Sequence, residues 1–128
     1  ELGISHLVKF LGNSNQVEKN LCHSDLFLLP SSAESFGLAA LEAMASKVAV
    51  ISSDSGGLPE ININGETGYV ENFDNVDEMS RKAISILSSK ESLDNFKNKA
   101  FLKAKEFDIS KIVPLYEKTY QDALDSIK

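Results

Sequence analysis

The sequence has no tryptophan, one cysteine, two histidines and three prolines in 128 residues. A lone Cys22 cannot close an internal disulfide, which suits a reducing compartment such as the cytoplasm. His6 and His23 have no cysteine partners at zinc spacing, so no structural metal is expected. No apolar run approaches the ~18 residues of a membrane helix, and the longest, "LFLLP", is strand length. Positive charge is also short: 13 Lys and Arg against 19 Asp and Glu leave a net charge of −6. That balance argues against broad nucleic-acid binding, where basic surface must neutralise phosphates. A small phosphorylated ligand is not excluded, because one helix N-terminus can hold it locally. The opening "ELGISHLVKFLG" has neither an initiator Met nor a basic n-region, and reads as the interior of a longer chain.

What is present fits one compact domain with a single core. "HLVKFLG", His6 to Gly12, reads as a short strand, and "NSNQVEKNLCHS" as a short amphipathic helix with Val17, Leu21 and Cys22 inward and His23 at its end. "DLFLLPSS", Asp25 to Ser32, and "VAVISS", Val48 to Ser53, are apolar on both faces, as strands of a buried parallel sheet are. A helix from about Phe36 to Ala45 lies between them. "SGGLPEI" is a Gly-rich turn into a short helix with Pro59 at its start, and a fourth strand falls around Gly68 to Val70. From Asn75 onward three helical stripes follow: Met79, Ala83, Ile84 and Leu87; Leu93, Phe96, Ala100 and Ala104; Ile112, Leu115, Tyr116, Tyr120 and Leu124. Pro114 inside the third should remove one backbone bond. Strands alternating with helices predict α/β, a Rossmann-like parallel sheet with helices on both faces. Four strands are visible where such layers usually carry five or six, so one or two are expected upstream of Glu1.

The chemistry concentrates in "SSAESFGLAALEAMASKVAVISSDSGGLPE", Ser31 to Glu60. In open parallel sheets ligands sit beyond the carboxyl ends of the strands, where loops lead into helices. "PSSAESFGL" is such a loop. A helix start offers unpaired N–H groups and partial positive charge to a phosphate, and Gly37 lets a ligand approach the backbone. Glu34 precedes the helix and Glu42 lies within it, up to ~12 Å away at 1.5 Å per residue. Carboxylates accept hydrogen bonds from vicinal hydroxyls, so the order hydroxyl, phosphate, hydroxyl reads as a nucleotide sugar. Either acid alone has a plain reading, as a favourable first-turn charge or a solvent-facing side chain.

Glu34, Phe36, Gly37, Glu42, Ala43, Met44 and Ala45 match E-x-F-G-(L)-x-x-x-E-A-M-A, followed by Gly56, Gly57 and Glu60 in G-G-x-x-E and Gly65, Gly68 and Val70 in G-x-x-G-x-V. The chain thereby resembles the large retaining glycosyltransferase family of GT-B architecture (group 1, family 4), over nearly its whole length and least after Lys90. The resemblance implies that residues 1–128 are a partial C-terminal, donor-binding domain whose partner, the N-terminal acceptor domain, lies elsewhere in the same enzyme. It implies that Glu42 holds the ribose, that Glu34 contacts the transferred sugar as the catalytic carboxylate, and that the backbone at Ser35, Phe36, Gly37 and Leu38 meets sugar and diphosphate. Gly56 and Gly57 would bring a second loop near the nucleotide.

Within the family the likeness is greatest to the branch that transfers N-acetylglucosamine from UDP to L-malate in bacillithiol biosynthesis. UDP-N-acetylglucosamine is therefore the expected donor, with L-malate or a glycan as acceptor. No cofactor and no obligatory metal are implied. A non-catalytic nucleotide-binding module and a sugar-nucleotide 2-epimerase remain alternatives. Two departures stand out: Lys47 replaces the glycine of a left-handed helix end, and Ala49 replaces a proline. The family's diphosphate-binding Arg and Lys fall upstream of this chain, so the isolated chain is expected to be inactive. Apolar surface on the last helix, around Tyr116 and Tyr120, would favour a homo-oligomer.

Overall fold

A computed structural model describes residues 2–127. Three parallel strands, β1 (Leu26–Leu29), β2 (Ala49–Ser53) and β3 (Gly68–Glu71), form a sheet in the order β1-β2-β3. Leu26 pairs with Ala49 and Val50 with Gly68. The helices are α1 (Val17–Cys22), α2 (Leu38–Ala45), α3 (Leu58–Ile61), α4 (Val76–Leu87), α5 (Lys90–Ala104) and α6 (Ile109–Ser126).

Every residue of β2 is buried, and the strand's alternation divides the core in two. Val48 and Val50 pack with Ala40, Ala43 and Met44 of α2, Leu58 and Ile61 of α3, and Ala100 and Ala104 of α5. Ala49 and Ile51 face the other way, onto Met79 and Ile86 of α4 and Phe96 of α5. Each large side chain fully buried here, such as Met44, Ile51 or Ile61, contributes about 1.5–3 kcal/mol relative to exposure. The expected Rossmann-like α/β layer, with helices on both faces, is the one observed.

A polar tie joins β2 to β3. Buried Asn62 donates to the Val50 carbonyl (3.3 Å), Ser52 Oγ (2.9 Å) and the Tyr69 carbonyl (3.0 Å), and accepts from Thr67 Oγ1 (2.9 Å). Both its amide nitrogen and its oxygen are therefore partnered, as burial demands. Gly68 is required beside it, because a Cβ there would stand 1.7 Å from the Val50 carbonyl oxygen.

Several expectations need correction. Residues 6–12 form no strand: a 3₁₀ turn spans Ser5–Leu7 and the segment beyond it has no ladder partner. Strand propensity reflects packing on a sheet, and Leu7 and Phe10 instead stand 74% and 93% exposed. The sheet among the described residues accordingly has three strands, and Leu28 on its β1 edge is 57% exposed. Cys22, expected to be buried, is exposed, because Leu21 takes the inward position at the end of α1. On α4 the inward pair is Met79 and Ile86, with Ile84 and Leu87 outside. Helix α6 buries no residue at all, although its apolar stripe is as regular as predicted.

Candidate functional site

Two loops leave the carboxyl ends of adjacent strands: residues 30–37 run from β1 to α2, and residues 54–57 from β2 to α3. Helix α2 starts later than the sequence suggests, at Leu38, because Gly37 adopts φ +92° as its N-cap. That left-handed conformation favours glycine, and a Cβ at Gly37 would approach Leu58 Cδ2 to 2.5 Å. No side chain caps α2, so its first amides lack an acceptor and the positive end of the helix dipole is open.

The acids flank this end. Glu34 is half-buried, and its Oε1 accepts from the Ser35 amide at 3.1 Å. Glu42 is exposed on the outer face of α2. Among the described residues neither takes part in an ion pair. Both carboxylates are therefore open to hydroxyl donors. Glu42 lies on the wall of an open cavity of about 520 Å³, shared with Asn15, Gln16, Val17, Glu18 and Lys19. Val17 was expected to face inward and is instead 47% exposed here, and the other four were not singled out from the sequence, because only the docking of α1 beside α2 brings them there.

Phe36 points its ring inward, edge-on to Phe107 at 5.8 Å, so its contribution to the loop surface is backbone. Ser35 and Leu38 are exposed. Gly56 and Gly57 belong to the same constellation through the 30–37 loop: a Cβ on Gly56 would meet the Glu34 carbonyl oxygen at 1.7 Å, and one on Gly57 would lie 3.1 Å from Phe36 Cα. Glu60, in the first turn of α3, is exposed. Lys47 is committed elsewhere, its Nζ 5.0 Å from the Phe101 ring centre.

An open helix start between two acids that form no ion pair among the described residues, on a doubly wound layer, can hold a ligand carrying both anionic and hydroxyl groups. The family model for glycosyl transferases group 1 matches residues 1–103, and the chain belongs to that family. It is 40% identical over 124 residues to the N-acetyl-alpha-D-glucosaminyl L-malate synthase of Bacillus anthracis, covering 96% of this chain and 32% of that protein. Among solved structures it resembles the C-terminal domain of a glycosyl transferase group 1 protein, LpcC, from Francisella tularensis, with a TM-score of 0.70, 29% identity, and 80% and 53% of the two chains covered. The Anabaena protein HepE, solved with UDP and glucose, superposes with a TM-score of 0.86 at 22% identity, over 94% of this chain and 33% of its own. The fold is thus that of a GT-B C-terminal domain. The chain spans about a third or less of the length of the first curated relatives it matches. No helix among the described residues is long and apolar enough to cross a membrane.

Proposed function

We propose that this chain is the donor-binding domain of a retaining glycosyltransferase that uses UDP-N-acetylglucosamine, with L-malate or a glycan as acceptor. The observation that carries this reading is the uncapped start of α2 set between two acids that form no ion pair among the described residues, with a cavity beside Glu42. Glu42 accepts hydrogen bonds from the ribose hydroxyls, and the adjoining cavity receives the base. Backbone N–H groups from Ser35 to Leu38 meet the sugar and the diphosphate, while Glu34 contacts the transferred sugar.

As the sugar–phosphate bond breaks, negative charge grows on the leaving diphosphate. Fixed dipoles aimed at that charge stabilise the transition state more than the ground state, so the reaction needs no obligatory metal. Glu34 and Glu42 do not act as the acid–base couple of a glycosidase. The acceptor site belongs to an N-terminal domain of the same enzyme, and the family's diphosphate-binding Arg and Lys fall upstream of these residues. The relative from Bacillus anthracis supports the choice of donor and acceptor by its name, and the UDP complex of the Anabaena protein supports the base. The free thiol of Cys22 fits the reducing cytoplasm.

The test is calorimetric titration of the full-length enzyme with UDP, GDP, ADP and UDP-N-acetylglucosamine, repeated on Glu42→Ala. Loss of a hydrogen-bonded carboxylate should weaken the uridine ligands about 10- to 100-fold. Equal affinity in the variant would overturn the assignment.

A further inference from the structure

The loop from β1 to α2 carries Glu34, yet little in its own sequence fixes it. Ser32, Ala33 and Ser35 are exposed, and the Glu34 carboxylate reaches only the next amide. What holds the loop comes from the end of β2. Ser53 Oγ donates to the Ser31 carbonyl at 2.6 Å, and Ser55 Oγ donates to the same oxygen at 2.9 Å. A carbonyl has two lone pairs, and both are engaged. The Gly57 amide then donates to the Ser35 carbonyl at 2.9 Å, and Gly56, at φ +55°, allows the close approach to Glu34.

Ser53 is the last residue of the central strand and fully buried, while its neighbour Ser52 is tied to Asn62. One half of the anchor, Ser53, therefore stands on the fully buried central strand, where a supporting group fixes geometry well. Neither Ser53 nor Ser55 lines the cavity beside Glu42.

We propose that Ser53 and Ser55 are positioning residues, whose paired hydroxyls grip the Ser31 carbonyl and set where Glu34 and the start of α2 meet the transferred sugar. This rests on the donor reading above. The nucleoside end is held by Glu42 and the cavity at residues 15–19, outside the grip. The loop also meets the diphosphate, so loosening it weakens UDP binding modestly, but it chiefly misplaces the reacting end, which lowers kcat more than it weakens donor binding.

Ser55→Ala, Ser55→Thr and Ser53→Ala/Ser55→Ala are made in the full-length enzyme. Transfer with the donor selected by titration, UDP affinity and amide hydrogen exchange over residues 31–36 are measured on each. Ser55→Ala should lower kcat about 10-fold and the double variant about 100-fold, with UDP affinity falling by a clearly smaller factor, about 3-fold, and exchange in the loop accelerated. Ser55→Thr, which keeps the hydroxyl, should restore kcat to within about 3-fold. Unchanged exchange and unchanged kcat in a folded Ser55→Ala would overturn the grip, as would parallel losses of kcat and UDP affinity. If Ser53→Ala fails to fold, the half-buried Ser55 decides alone. Failure of the donor reading looks different: Glu34→Ala and Glu42→Ala would then both retain transfer and UDP binding, whatever the loop exchange shows.

Discussion

Helices in this domain start in two ways. Asn75 caps α4 by accepting from the Glu78 amide (3.4 Å), Ser89 caps α5 through the Ser92 amide (3.1 Å), and Asp108 caps α6 through the Ser110 amide (2.9 Å). Helices α2 and α3 instead start at Gly37 and Gly57 with no side-chain acceptor. A cap typically stabilises by ~1 kcal/mol, so leaving α2 without one forgoes stability that its neighbours take. The capped helices lie along the second half of the chain. Helix α1, after Gln16, also lacks a side-chain cap, and of the three uncapped starts those of α2 and α3 open at the carboxyl ends of β1 and β2. On the donor reading proposed above, the contrast separates helix starts that hold the fold from the start of α2, which the diphosphate would use.

The sharpest way to break that contrast is Gly37→Ala. It forces a side chain into a left-handed backbone and against Leu58, and should cost roughly 2–4 kcal/mol. Chemical denaturation would read the loss, and UDP affinity should fall with it. Next comes Ser89→Ala, which should cost about 1 kcal/mol while leaving UDP binding untouched. An effect on binding comparable to that of Glu42→Ala would erase the distinction between the two kinds of start.

The far end of α2 offers a smaller test. Its close is a Schellman motif: the Val48 amide donates to the Ala43 carbonyl and the Lys47 amide to the Met44 carbonyl, both at 3.0 Å. The left-handed position, at φ +59°, is held by Lys47. Lys47→Gly relieves about 1 kcal/mol of strain and forfeits about 0.5 kcal/mol of cation–π contact with Phe101. A net gain of about 0.5 kcal/mol is expected, visible as a small rise in melting temperature.

The smallest effect concerns pH. The Ser110 hydroxyl, and after it the Ser110 amide, donate to Asp108 and hold its carboxyl below the ordinary 3.8. A folded-state pKa below the unfolded one adds stability above the unfolded value, and that stability is lost as pH falls through the folded value. Asp108→Asn keeps a cap without the charge. The helicity of α6 in wild type should therefore exceed or match the variant above pH 3.8 and lose that margin only below it.

Much of the architecture was legible because it is local. Val48 to Ser53 is apolar on both faces, and β2 is buried throughout. The stripe Leu93, Phe96, Ala100 and Ala104 is also the face that α5 buries or half-buries. The acids, the glycines and the helix between them were legible as one motif. What misled was equally local in kind. "HLVKFLG" has strand chemistry but no ladder partner among the described residues. Cys22 has core chemistry, but falls one residue past the inward position. The third stripe is regular, yet α6 packs no residue into the core.

The sequence by itself determined the alternation of strand and helix, the buried centre of the sheet and the pair of acids around a helix start, because periodicity, composition and spacing are properties of neighbours along a chain. Only the tertiary structure decided that α2 begins at Gly37 in a left-handed turn packed on Leu58, and that residues 15–19 share a cavity with Glu42. The grip of Ser53 and Ser55 on the Ser31 carbonyl, more than 20 residues away in sequence, was likewise its doing. Those contacts join segments that sequence order keeps apart, and they exist only once the parallel sheet has set the ends of β1 and β2 side by side.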